Sequence, residues 1–154
     1  MTTDVDDASD PEATYRAIGR FIFQFSQLEY SIRHFVALEA GIKDEHFAAV
    51  MTHDFAILCT AAFEVLLPSV RDPEAIEELR SLINKARRLN DVRVKVAHGL
   101  WVPFKEGGTV HHVSRSKLKD GISVDQAAEL EVHSDEAQRI RHAFEQVVWY
   151  KQHH

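Results

Sequence analysis

Ile18, Ile22, Phe25, Ile32, Phe35 and Val36 recur at spacings of three, four and seven residues, the period of one face of an α-helix. The stretch that carries them opens at Ser9-Asp10-Pro11-Glu12, a capping side chain followed by proline near the first helical position. It closes after Ala40 at Gly41, a residue that takes the positive φ of a helix stop without strain. A helix this long must hide its apolar stripe against other elements, and the rest of the chain repeats the pattern. A second helical region runs from about Asp44 to Leu67 with Phe47, Val50, Met51, Phe55, Leu58, Ala62, Val65 and Leu66 on a wide apolar face, and Thr52-His53-Asp54 is a candidate break within it. Pro68 and the turn Arg71-Asp72-Pro73-Glu74 end that region and start a third helix capped by Asp72. It carries Leu79, Leu82, Ile83, Ala86 and Leu89 and continues through Val92 and Val96 to His98-Gly99.

Beyond Gly99 the period changes. Leu100 to Phe104 and Thr109 to Ser114, around Lys105-Glu106-Gly107-Gly108, read as two short strands joined by a glycine turn, with Pro103 marking an edge strand. Residues 115–133 contain a basic loop, Gly121 and one more strand or helical turn. Ser134-Asp135-Glu136 then reads as the cap of a last helix bearing Ile140, Phe144, Val147, Val148 and Tyr150. The expectation is an all-α fold. It is a mostly antiparallel bundle of four to five helices, with a small β-hairpin at about 100–122 inserted before the last helix. Residues 1–9 form a disordered acidic lead and 10–154 one domain; there is no internal repeat, low-complexity tract or interdomain linker.

Composition excludes several classes. At 154 residues, 45% apolar and 27% charged, the chain can bury a core without staples. No stretch approaches the roughly 18 uncharged apolar residues of a membrane span, and the acidic start is unlike a signal peptide. A single cysteine, Cys59, excludes an internal disulfide and a cysteine-built zinc site and points to a reducing, cytoplasmic compartment. Ten histidines invite a metal site, but His133 and His142 lack partners at helical spacing, adjacent His111 and His112 on a strand would point to opposite faces, and His153 and His154 end the sequence. No metal or cofactor is expected. Charge is uneven within the net −6: residues 85–119 hold nine Lys/Arg against two acids, a local +7 that leaves −13 elsewhere. That balance argues against indiscriminate nucleic-acid binding and leaves room for a phosphate-rich partner at one place; the other reading is a solvated face cancelled by its neighbours.

Two charges interrupt the stripes. With Leu82 set at zero, Arg93 falls near 20° on the third helix and Asn90 near 80°; with Ile18 at zero, Glu29 falls near 20° on the first. A buried charge is costly unless paired or used, so Glu29 and Arg93 are expected to point inward and to form a register-fixing pair or line a polar pocket between the two helices. His98 follows Arg93 by five residues, about 7.5 Å along the axis and roughly 140° around it. The two would not face one another within one straight helix, but they could converge on one phosphate if the helix ends at Gly99 or if a second copy of the helix packs alongside.

These residues resemble the HEPN superfamily, whose signature is Arg, four to six residues, His, near the end of a late helix and often followed by Gly. Here it maps to Arg93-Val94-Lys95-Val96-Ala97-His98 and Gly99. The segment from Asn90 to Trp101 and the first-helix segment from Phe25 to Arg33 are similar to those of bacterial members, as is the hairpin after the histidine. The resemblance spans about residues 12–150 and is specific in the two short segments. It implies a small helical bundle forming a homodimer that joins two Arg/His sets, and a metal-independent endoribonuclease of toxin-like or stress-response type. His98 would be the general acid/base and Arg93 the phosphate clamp, with Glu29, Asn90, Lys95 and Trp101 as supporting groups. Val94 departs from the family, where many catalytic members carry a polar residue, commonly asparagine, after the arginine. The alternative is a non-catalytic homodimer that binds a cognate, antitoxin-like protein, a nucleotide or RNA.

Overall fold

The computed structural model describes residues 11–102, 109–113, 120–123 and 126–153. Helix α1 (Pro11–Glu39) buries Ala17, Phe21, Phe25, Leu28, Ile32 and Val36. This stripe is rotated slightly from the expected one, since Ile22 is exposed. Gly41 has φ 72°, and the amides of Gly41 and Ile42 donate to the carbonyls of Leu38 (3.2 Å) and Ala37 (2.9 Å). These are the paired bonds of a Schellman stop, completed by Ile42 packing against the core.

The second helical region is interrupted. A 3-10 turn (Asp44–His46) leads into the single turn α2 (Phe47–Val50), and α3 (Phe55–Leu66) begins only after extended backbone at Met51. The break lies at Thr52-His53-Asp54, as expected. Asp54 caps α3, its side chain accepting from the amide of Ile57 at 3.0 Å, while its own amide donates to the Thr52 hydroxyl at 3.0 Å. After a 3-10 turn at Leu67–Ser69, α4 (Pro73–His98) starts on Asp72, whose carboxylate accepts from the amide of Ala75 at 3.1 Å. α4 buries Leu79, Leu82, Ile83, Ala86, Leu89 and Val96.

The all-α expectation with one hairpin is corrected between α4 and α5. Strands β1 (Leu100–Val102), β2 (Thr109–Val113) and β3 (Asp120–Ser123) form a three-stranded antiparallel sheet in the order β1-β2-β3. Trp101 opposes Val110, and Val110 in turn opposes Ser123. A two-stranded hairpin leaves both outer edges of its strands open; here β3 pairs with the second edge of β2. The helical bundle itself forms. The lead at 1–9, the Ser9-Asp10 cap, Pro103, the Gly107-Gly108 turn and the basic loop 115–119 lie outside the described residues.

Helix α5 (Gln126–His153) also differs from expectation, beginning eight residues before Ser134. Ser134 is fully buried inside it, its hydroxyl donating to the Leu130 carbonyl at 2.8 Å. Ala127, Leu130 and Ala137 share its buried face, and their burial carries the helix past a local capping signal. Tyr150, read as a core position, is exposed.

Four long helices surround one core. α1 packs most extensively on α5; α3 lies against α1 and α4, and α4 against α5, so α1 and α4 are diagonal partners with few contacts. Phe21, Phe25, Leu28, Leu58, Leu79, Ile83, Phe144 and Val148 are fully buried where they meet. Burial of a side chain of this size stabilises by about 1.5–3 kcal/mol. Across the α1/α5 seam Arg20 pairs with Glu131 and, at 2.5 Å, with Asp135, which raise the pKa of its guanidinium. Ser31 donates to Glu145 at 2.6 Å. Among the described residues no helix is long and apolar enough to cross a membrane.

Candidate functional site

Arg93 enters the bundle from α4 on its core-facing stripe, where the helical period places it. It is half-buried, with its guanidinium 5.4 Å from the centroid of the Phe25 ring across the diagonal of the bundle. Phe25 in turn packs on Phe55 of α3 with centroids 4.8 Å apart, so the ring under the cation is braced by a second helix. Its Nε donates to Oδ1 of Asn90, one turn earlier, at 3.0 Å. The expected contact with Glu29 does not form. Glu29 is taken by Arg33, four residues on in the same helix, and Arg33 also donates from Nε to the Thr52 carbonyl at 3.2 Å. The local i,i+4 partner and the backbone of the α2/α3 break win over the cross-bundle one. No carboxylate of a described residue lies within ion-pair distance of Arg93.

His98 is the last residue of α4 and is exposed. The same helix therefore carries Arg93 on its core-facing side and His98 exposed at its end. Lys95 is exposed, and its carbonyl accepts from the amide of Gly99 at 2.8 Å. Val94 is half-buried. Trp101 is half-buried and donates from Nε1 to the Val96 carbonyl at 3.1 Å, fastening β1 to the last turn of α4. Asn90 is thus a direct support of Arg93, Trp101 a support of the backbone around His98, and Glu29 a partner of Arg33. Of the basic segment 85–119, Arg87 reaches α3, with its guanidinium 4.8 Å from the Phe63 ring centroid and its Nη2 donating to the Thr60 hydroxyl at 3.1 Å.

Cys59, buried on α3, has its thiol pushed up to about 11 by burial, against the opposing pull of Arg87. A thiol held protonated is a packing residue rather than a nucleophile. Among the described residues no group of three or more His, Cys, Asp or Glu could hold a metal ion.

A second concave region went unread in the sequence. A cleft of about 620 Å³ lies between α1 and α5, lined by Tyr30, Ser31 and His34 from one helix and by Arg141, Glu145 and Trp149 from the other. The signal was present: Tyr30 and His34 stand at i,i+4, and Arg141, Glu145 and Trp149 at i,i+4,i+8. It was hidden because each helix displays only half of the site.

No family model, curated protein or solved structure matches the chain.

Proposed function

We propose that the chain is a HEPN-like domain that cleaves RNA without a metal ion, as a homodimer, with Arg93 and His98 as its reacting groups. The observation that carries this reading is the setting of Arg93. It is a half-buried cation with no carboxylate partner among the described residues, fixed by Asn90 and Phe25, five residues before an exposed histidine at the end of the same helix. An arginine left without a counter-ion retains Nη donors for a phosphodiester. In the reaction, one histidine takes the proton of a ribose 2′-hydroxyl, whose oxygen attacks the adjacent phosphorus. The same histidine, now protonated, gives a proton to the 5′-oxygen as its bond to phosphorus breaks, leaving a 2′,3′-cyclic phosphate and a 5′-hydroxyl. Arg93 holds the phosphate and stabilises the charge that develops on its oxygens. In this reading two copies assemble the site, the arginine of one meeting the histidine of the other, which suits the outward position of His98. The compartment of this reading is the cytoplasm.

Val94 favours a second reading, since it puts an apolar side chain after the arginine where a polar one would assist cleavage. In that reading the same Arg93 site binds RNA or a cognate protein without chemistry. The deciding experiment is cleavage of a mixed pool of structured and single-stranded RNA in EDTA by the wild type and by His98→Ala. Loss of about 10²-fold or more in rate, with fold and oligomeric state unchanged, is expected of a general acid/base. Cleavage unaffected by the substitution overturns the assignment of His98, and a wild type that forms a stable dimer but does not cleave favours the binding reading.

A further inference from the structure

We infer that the α1/α5 cleft is a binding site for a small aromatic carboxylate, separate from the Arg93 site and independent of the ribonuclease reading. The cleft, at about 620 Å³, has the size of sites that enclose small organic ligands. Arg141 provides its cation. The Nε of Arg141 is buried and has no acceptor among the described residues, an arrangement that buried donors normally avoid. The nearest carboxylate, Glu145, stands 4.0 Å from Nη1 and is already engaged by the Ser31 hydroxyl at 2.6 Å. Among the described residues, Nη2 lies 3.3 Å from Nε2 of His142. A small turn of the side chain toward the cleft presents the planar Nε–Nη edge, which matches the two oxygens of a carboxylate.

Glu145 also decides the charge of the ligand. A negative side chain beside the arginine tolerates one further negative charge better than the two of a phosphate monoester. The ring platform comes from the other wall and from the end of α5. Trp149 is 59% exposed and Tyr30 56% exposed. Tyr30 lies beside the ring of His34 (6.2 Å between centroids, 15° between planes) and the ring of Phe47 (6.1 Å, 60°), which extend the aromatic wall. Arg141 and Trp149 lie eight residues apart on one face of α5, about 12 Å between backbone positions. The spacing suits an aryl ring joined to its carboxylate by a short chain. Gln27 and Gln146 supply neutral hydrogen-bonding groups at the rim.

The test is calorimetric titration of the full chain with indole-3-propionate, indole-3-propionamide and adenosine 5′-monophosphate. The acid is expected to bind, and the amide to bind about tenfold more weakly or not at all, since it loses the charge-assisted bonds. Arg141→Gln and Trp149→Ala should each weaken the acid by about tenfold. Trp149 lies on the surface, so its variant keeps the proposal falsifiable if Arg141→Gln fails to fold. Equal binding of acid and amide, tighter binding of the nucleotide, absence of binding, or indifference to both substitutions overturns the proposal. His98→Ala should leave this binding unchanged while abolishing RNA cleavage, so failure of one proposal is distinguishable from failure of the other.

Discussion

Arg93 and Glu29 show how far helical angle alone reaches. Placing both at about 20° on their stripes predicts that neither points freely to solvent, and both are half-buried. It does not predict whom they meet. Angle is a property of one helix, while pairing depends on where the chain breaks elsewhere. The α2/α3 break sets the Thr52 carbonyl against Arg33, and Arg33 then holds Glu29. The two positions should consequently respond in opposite ways to loss of charge. Glu29→Gln leaves the little-exposed Arg33 without its counter-charge, and stability measured by urea unfolding should fall by roughly 1–3 kcal/mol, somewhat below the cost for a fully buried pair. Arg93→Met removes a cation that has no carboxylate to leave behind, and puts a flexible apolar chain against Phe25. Stability should stay within about 0.5 kcal/mol or rise, while RNA cleavage is lost, the pattern of a residue kept for function. A fall of the size predicted for Glu29→Gln would make Arg93 a structural cation instead.

Caps and stops were legible where a single side chain sets the backbone. Gly41, Asp72 and the break before Asp54 all act as their types require. Ser134 has the same chemistry and a different outcome, because the apolar face of Ala127, Leu130 and Ala137 continues through it and burial outweighs a cap. The third strand was legible only as one of two options, a strand or a helical turn within 115–133, for a related reason. Asp120-Gly121-Ile122-Ser123 contains residue types depleted in strands, and β3 exists through pairing with β2 rather than through propensity. The two capping candidates give a direct comparison. Asp72→Ala should cost about 1 kcal/mol by removing the acceptor for the Ala75 amide. Ser134→Ala, which removes a hydroxyl already satisfied within its own helix, should change stability by no more than about 0.5 kcal/mol. Chemical unfolding of both variants checks the pair, and equal losses would return Ser134 to the role of a cap.

At the scale of the molecule, the arrangement of four long helices decides what one copy can do. α4 is diagonal to α1 and flanked by α3 and α5, so Arg93 is drawn across the core to Phe25 while the helix end carries His98 out to solvent. Sequence reading anticipated this divergence, because five residues on a helix separate two side chains by roughly 140°. It could not anticipate the α1/α5 cleft, which exists only once two segments more than a hundred residues apart lie side by side. A site divided between two copies makes a prediction that no intramolecular site can meet. Arg93→Gln and His98→Ala homodimers should each be inactive. When the two proteins are unfolded together and refolded, half of the dimers by random assortment should be mixed, and each mixed dimer regains one arginine–histidine pair with both residues intact. Cleavage in EDTA should then reappear at about a quarter of the wild-type rate per chain, with sedimentation giving twice the chain mass. If the mixture stays inactive although mixed dimers are present, the two residues act from the same chain. If the wild type sediments as a single chain, the divided site is lost with it.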